Sequence, residues 1–162
     1  MSTEPTRYFF VHLQKTAGTS FSRQMKDHFG RPAIYPSDDD GDPIARVIDV
    51  DHLVERWRAR RDEIVVVTGH YPLCTTELLD ADFVTFTILR HPVERTLSYL
   101  RHHRKVTPDD QDLTLEEVYD DPERFHGLVH NHMVKMFSLT TDEMTNGALT
   151  VVDFTPGRGA RA

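Results

Sequence analysis

Tyr8-Phe9-Phe10-Val11-His12-Leu13-Gln14-Lys15-Thr16-Ala17-Gly18-Thr19-Ser20-Phe21 is the stretch that decides how this chain folds. Arg7 to Leu13 is a near-continuous apolar run rich in β-formers, the pattern of a strand buried on both faces in a parallel sheet. Five loop residues follow, Gln14, Lys15, Thr16, Ala17 and Gly18, and the hydroxyl residues Thr19 and Ser20 open a helix. Phe21, Met25, His28 and Phe29 recur along it at helical spacing, and Gly30 with Pro32 just beyond supplies the stop. Exposed N–H groups at a helix start, the positive end of its dipole, hydroxyls and one lysine make an anion cradle suited to phosphate or sulfate.

Outward from this stretch, two further strands are predicted. Ile64 to Thr68 is short and β-branched and runs into the turn Gly69-His70-Tyr71-Pro72. Asp82 to Leu89 ends in Arg90-His91-Pro92, where proline takes the first position of a helix with Val93, Leu97 and Leu100 on its apolar face. Between them, Asp49 to Arg61 reads as a helix burying Leu53, Val54 and Trp57, and Thr75 to Leu79 as a short one. Thr114 with Glu117 makes a capping box for a short helix that Pro122 ends. A longer helix is expected from about Glu123 to Leu139, and Ala148 to Val152 is a further candidate strand. Residues 1–155 are thus expected to form a single α/β domain, with 156–162 a disordered tail. In open α/β sheets ligands sit at the carboxyl ends of the strands, and Gln14 to Ser20, Gly69 to Pro72 and Arg90 to Ser98 all fall at such ends.

Composition narrows the function classes. With 19 basic against 26 acidic residues and a net charge of −7, the chain lacks the broad basic surface that grips nucleic acid, so an anion must be held locally. One cysteine, Cys74, makes no internal disulfide and is expected to be a small buried apolar residue. No apolar run nears the ~20 residues of a membrane span, and Met1 to Arg7 lacks the basic and apolar regions of a signal peptide. A cytoplasmic protein is expected. The acidic run between Pro36 and Pro43 lacks the closing glutamate of a calcium loop and is read as a solvated loop. His126 and His130 have the i, i+4 spacing of zinc ligands, with His132 nearby, but no third ligand or catalytic glutamate accompanies them, and they are read as helix-surface histidines.

The cradle is not a Walker loop. That loop places its lysine last, next to a serine or threonine, whereas here Lys15 precedes Gly18 by three residues. A Walker-type partner strand would end in an aspartate that helps hold magnesium, whereas the third predicted strand ends in Arg90. An arginine fork suits a second phosphate, so the ligand should carry two separated anionic groups, bound without an obligatory metal.

His12 to Phe21 resembles the 5′-phosphosulfate loop of sulfotransferases that use 3′-phosphoadenosine 5′-phosphosulfate (PAPS), especially the carbohydrate sulfotransferases acting on heparan sulfate. Thr87 to Ser98 resembles the family's 3′-phosphate motif, and Gly69 to Pro72 is similar to the Gly-His segment of bacterial members; together the likeness spans about residues 8 to 139. It implies a P-loop-NTPase-like three-layer fold, a central parallel sheet flanked by helices. It implies sulfuryl transfer from PAPS to a hydroxyl-bearing small molecule or carbohydrate, without a required metal. Lys15, Thr16, Ala17, Gly18, Thr19 and Ser20 would hold the 5′-phosphosulfate, with Lys15 stabilising the leaving phosphate, and Arg90 and Ser98 would clamp the 3′-phosphate. His70 is the candidate base, ahead of His12 and His91, its alternative role being a turn histidine that bonds the backbone. Asn131 and Lys135 loosely resemble a nucleotide-approaching segment. The alternative function is a nucleotide-binding module of the same fold without turnover, and a metal-dependent nucleotide kinase is disfavoured by the same lysine order and absent aspartate.

Overall fold

A computed structural model of the chain describes residues 5–145. In chain order the regular elements are β1 (Arg7–Val11), α1 (Gly18–Phe29), β2 (Ile34–Tyr35), α2 (Ala45–Ile48), α3 (Val50–Arg60), β3 (Val66–Gly69), α4 (Thr75–Leu78), β4 (Phe83–Thr87), α5 (Pro92–Val106), α6 (Leu115–Asp120), α7 (Pro122–Arg124), α8 (His132–Ser138) and α9 (Thr141–Thr145). The strands form one all-parallel sheet in the order β2-β3-β1-β4. The apolar run of β1 is explained by its central place: Phe9, Phe10 and Val11 have no exposed surface.

Alternation along β1 feeds two cores. Phe9, Val11 and Leu13 pack with Leu53 and Trp57 of α3, while Phe10 packs with Met25 of α1, Ile34 and Val66. Helices therefore cover the sheet on both faces, which is why the consecutive apolar residues Phe9, Phe10 and Val11 are stable here. The Trp57 indole N–H donates to the Leu79 carbonyl at 2.7 Å, tying α3 to the turn after α4. A smaller cluster of Tyr99, Leu100 and Val118 joins α5 to α6, whose Thr114–Glu117 capping box is present. Cys74 is buried, as expected, and burial raises its thiol.

The structure departs from the sequence reading in several places, among them the short helix α2, which no expected element covers. A fourth strand, β2, is only two residues long and pairs with β3 through Ile34 and Tyr35. The acidic loop is not wholly solvated: Asp38 and Asp39 are exposed, but Asp40 is 1% exposed, paired with Arg60 and hydrogen-bonded by Ser37. Burial alone would raise the Asp40 carboxyl; the Ser37 N–H and the Arg60 guanidinium outweigh it and hold the group below the usual carboxylate range. Arg60 thus serves a buried carboxylate rather than the end of α3.

The predicted long helix from Glu123 to Leu139 is broken. Residues Phe125–Val129 form a π turn, closed by His130 N–H donating to the Phe125 carbonyl at 2.7 Å, and Asn131 follows in the left-handed region at φ 52°. Asparagine tolerates that conformation better than most residues. The break lets α8 turn back onto the sheet, where the Leu73 N–H donates to the Met136 carbonyl at 2.8 Å and Met136 joins the core. Finally, α9 was not anticipated; it begins with Thr140 and Glu143 hydrogen-bonded to each other's backbone N–H groups. The candidate strand Ala148 to Val152 and the tail lie outside the described residues.

Candidate functional site

The parallel register aligns three strand ends. Val11 pairs with Gly69 on one side and with Thr87 on the other, so the segments after β1, β3 and β4 leave the sheet side by side. Gln14 to Ser20, Gly69 to Pro72 and Arg90 to Ser98 therefore meet at one edge. The sheet order reverses at β1, and the crevice outside such a switch point is where open α/β sheets bind ligands.

The loop after β1 is held in an unusual shape. Lys15 (φ 65°) and Ala17 (φ 72°) both occupy the left-handed region without being glycine, a conformation that costs on the order of 1–3 kcal/mol and collects at ligand sites. Thr16 is buried and its hydroxyl donates to the Leu13 carbonyl at 2.9 Å, so its side chain anchors the loop from inside. Thr19 and Ser20 are exposed in the first turn of α1, whose N-terminus no side chain caps. Left-handed residues that lead into a helix start without a side-chain cap are the backbone setting in which anion nests form, although the Ser20 and Phe21 N–H groups donate to the Ala17 carbonyl at 3.2 and 3.5 Å.

Gly18 is required by packing rather than by its dihedrals. A Cβ there would lie 2.1 Å from Cδ2 of His12, whose ring stacks on Phe10 with centroids 5.5 Å apart. Gly18→Ala is expected to destabilise the protein by about 1–3 kcal/mol, because either the stacked ring or the start of α1 must move. A urea midpoint equal to that of the parent protein would show that the loop yields freely.

Arg90 reaches the loop from β4's end: its guanidinium lies 3.4 Å from the Lys15 carbonyl and 3.4 Å from a carboxylate oxygen of Glu94. Both Arg90 and Glu94 are exposed, and an exposed pair of this length holds the arginine weakly. Ser98 lies one turn beyond Glu94 on α5 and is partly exposed. Lys15 also faces α5, where its cation, after burial, lowers His102. His91 is exposed and stands immediately before α5.

His70 is partly buried, with Nδ1 2.6 Å from the His12 carbonyl oxygen and its ring centroid 4.6 Å from that of His12. A carbonyl only accepts, so Nδ1 carries the proton and Nε2 presents a lone pair. Burial lowers the His70 titration, the bond to His12 opposes that, and the Arg95 cation lowers it further. His12 is driven to about 4 by burial and then by His70.

Sequence reasoning missed two members of this cluster. Arg95 lies off the apolar face formed by Val93, Leu97 and Leu100 of α5, yet Val93 is 60% exposed whereas Arg95 is 2% exposed. Its Nε donates to the Gln14 carbonyl at 3.1 Å, and its guanidinium sits 5.5 Å from the centre of the Tyr99 ring. The i, i+4 series Arg95, Tyr99, His103 was the available signal. His132, read as a surface histidine, is 4% exposed and falls to about 3 through burial, then the Arg95 and His70 charges. Of the pair read as possible zinc ligands, His126 and His130 are exposed on the π turn and just after it, their rings 6.0 Å apart. The Lys135 amine is tied to the His126 carbonyl, and Asn131 is exposed at the break between the π turn and α8.

At neutral pH the cluster of His12, His70, Arg95 and His132 therefore carries one cation, Arg95, whose titration burial lowers only to about 10. With Lys15 and Arg90 on the adjoining loop ends, the sheet edge is locally cationic in a chain of net charge −7. Among the described residues no helix is long and apolar enough to cross a membrane. Comparison with protein-family models, with curated proteins and with solved structures finds no match to this chain.

Proposed function

We propose that the protein is a PAPS-dependent sulfotransferase with a P-loop-like fold, transferring a sulfuryl group to a hydroxyl acceptor. The observation that carries this reading is the alignment of the lysine-first loop, the His70 turn and the Arg90 segment on three neighbouring strand ends. The left-handed loop and the uncapped start of α1 suit the 5′-phosphosulfate, and Arg90 with Ser98 suits the 3′-phosphate. In the transfer, the acceptor oxygen bonds to sulfur as the bond from sulfur to the 5′-phosphate oxygen breaks. The acceptor proton passes to Nε2 of His70, and the electron pair leaves with the phosphate, giving 3′-phosphoadenosine 5′-phosphate. Lys15 and the loop N–H groups neutralise the charge that grows on that phosphate.

Calorimetry with 3′-phosphoadenosine 5′-phosphate tests the reading. Binding is expected without magnesium, and Arg90→Ala should weaken it on the order of tenfold, the loss of one charge-assisted contact. No binding at millimolar nucleotide removes the proposal. Binding without turnover of PAPS across alcohols, phenols and sugars leaves instead a nucleotide-binding module.

A further inference from the structure

A cavity of about 610 Å³ opens between α5, α6, the π turn and α8, within the size range of small-molecule sites. Its wall is mainly apolar: Val93, Leu97 and Leu100 from α5 face Phe125 and Met133, and the Tyr119 and Phe125 rings meet edge to face at 5.2 Å. Val93 and Leu97, which the amphipathic pattern of α5 marks for burial, remain 60% and 37% exposed along it. Arg95 and His132 are its buried polar lining residues, and Arg95 is the residue bonded to Gln14 of the phosphate loop. The cavity thus abuts the anion site through a shared side chain.

His132 marks the polar end. Both its ring nitrogens are buried and make no well-aligned hydrogen bond among the described residues, although the Gly127 backbone is near enough to oppose the fall in its titration. The Gly127 backbone can serve only one of the two ring nitrogens, the one that carries the proton; the other is left as a buried acceptor without a partner, which costs stability, and a ligand hydroxyl that donates to it is a fitting partner. Thr96, Glu116, His130 and Asn131 also line the cavity, but none of them is buried, and most hydroxyls of a carbohydrate would lose their hydrogen bonds against the apolar side chains between α5 and the π turn, so it fits less well than an apolar alcohol.

We infer that this cavity is the acceptor site of the proposed transfer and takes an aromatic or long-chain apolar alcohol, its body between α5 and the π turn and its hydroxyl on His132. The inference rests on the sulfotransferase reading for the word acceptor, while the ligand class rests on the cavity. It departs from the carbohydrate acceptor that the likeness to heparan-sulfate enzymes implies. His132 is a hydroxyl-binding residue here, distinct from the base.

Saturation-transfer NMR and calorimetry on the full chain, saturated with 3′-phosphoadenosine 5′-phosphate, provide the test, with 2-naphthol, 2-methoxynaphthalene and lactose as probes. The naphthol is expected to bind at least about tenfold more tightly than its methyl ether, and His132→Ala should abolish that preference, since the ether lacks the hydroxyl proton. Leu97→Asp, a change at a partly exposed position, should weaken naphthol binding about tenfold while nucleotide affinity stays unchanged. Displacement of naphthol by lactose, or failure of naphthol to bind, overturns the inference with the nucleotide reading intact. Displacement of naphthol by the nucleotide also overturns it, assigning the cavity to the adenine moiety. Naphthol binding that persists where the nucleotide fails to bind supports the ligand class and removes only the sulfotransferase reading.

Discussion

Lowering the pH from about 7.5 to about 4.5 is expected to remove on the order of 5 kcal/mol of folding stability through His12 and His132 alone. The sign follows from the direction of both shifts. Their folded-state titrations, about 4 for His12 and about 3 for His132, lie below the ordinary value of 6.5, so the unfolded chain binds more protons throughout the interval between. The contribution is complete above pH 6.5 and is lost as the pH falls toward those values, at up to about 1.4 kcal/mol per unit for each group. His70 shifts in the same direction and adds to the loss. Asp40 acts in a lower window, because a depressed carboxyl loses its contribution only below the usual carboxylate range. Urea midpoints across the range give the measurement. His132→Gln should flatten the profile between about pH 6.5 and 4.5, since glutamine keeps polar groups but does not titrate there. A wild-type midpoint that does not move between pH 7 and 5 rules out neutral buried histidines at this site.

The same cluster shows where the sequence is legible and where it is not. Lys15, Gly18, His70 and Arg90 could be read because each stands in a short contiguous segment at the end of a β-run, and the parallel sheet alone suffices to bring such ends together. Arg95 and His132 could not. They come from α5 and α8, and what joins them to the loop is a set of long-range contacts: the Arg95 bond to Gln14 and the Leu73 bond to Met136. A strand of two residues has no period to detect, so β2 was invisible although Ile34 and Tyr35 are fully buried. The break at Asn131 was hidden because Phe125, Val129, Met133 and Met136 keep a helical spacing across it. The apolar face of α5 is legible as Val93, Leu97 and Leu100, but the pattern does not tell what covers it: Leu100 is buried, whereas Val93 and Leu97 line a cavity.

In the sulfuryl transfer that we propose, His70→Ala is expected to lower turnover by about 10²–10⁴-fold, the usual worth of a positioned base, with affinity for 3′-phosphoadenosine 5′-phosphate altered less than about twofold. The geometry reconciles the two roles considered for this histidine. Bonding the His12 carbonyl through Nδ1 fixes the ring, and that same bond leaves Nε2 as the free acceptor. Burial and the Arg95 cation lower its titration, so the imidazole is neutral and able to accept a proton at physiological pH. The wild-type rate should therefore be level above about pH 6.5 and fall on the acid side with a limit of tenfold per unit as the imidazole protonates. In His70→Ala this acid limb should vanish along with most of the rate. His12, only 4.6 Å away between ring centroids, does not replace it: its ring is stacked on Phe10 and wedged against the start of α1 at Gly18. A variant that retains the rate but binds nucleotide weakly would transfer His70 from proton acceptor to anion ligand. A variant that keeps both would return it to the turn, and the search for the base would pass to His91, which stands exposed beside Arg90 at the start of α5.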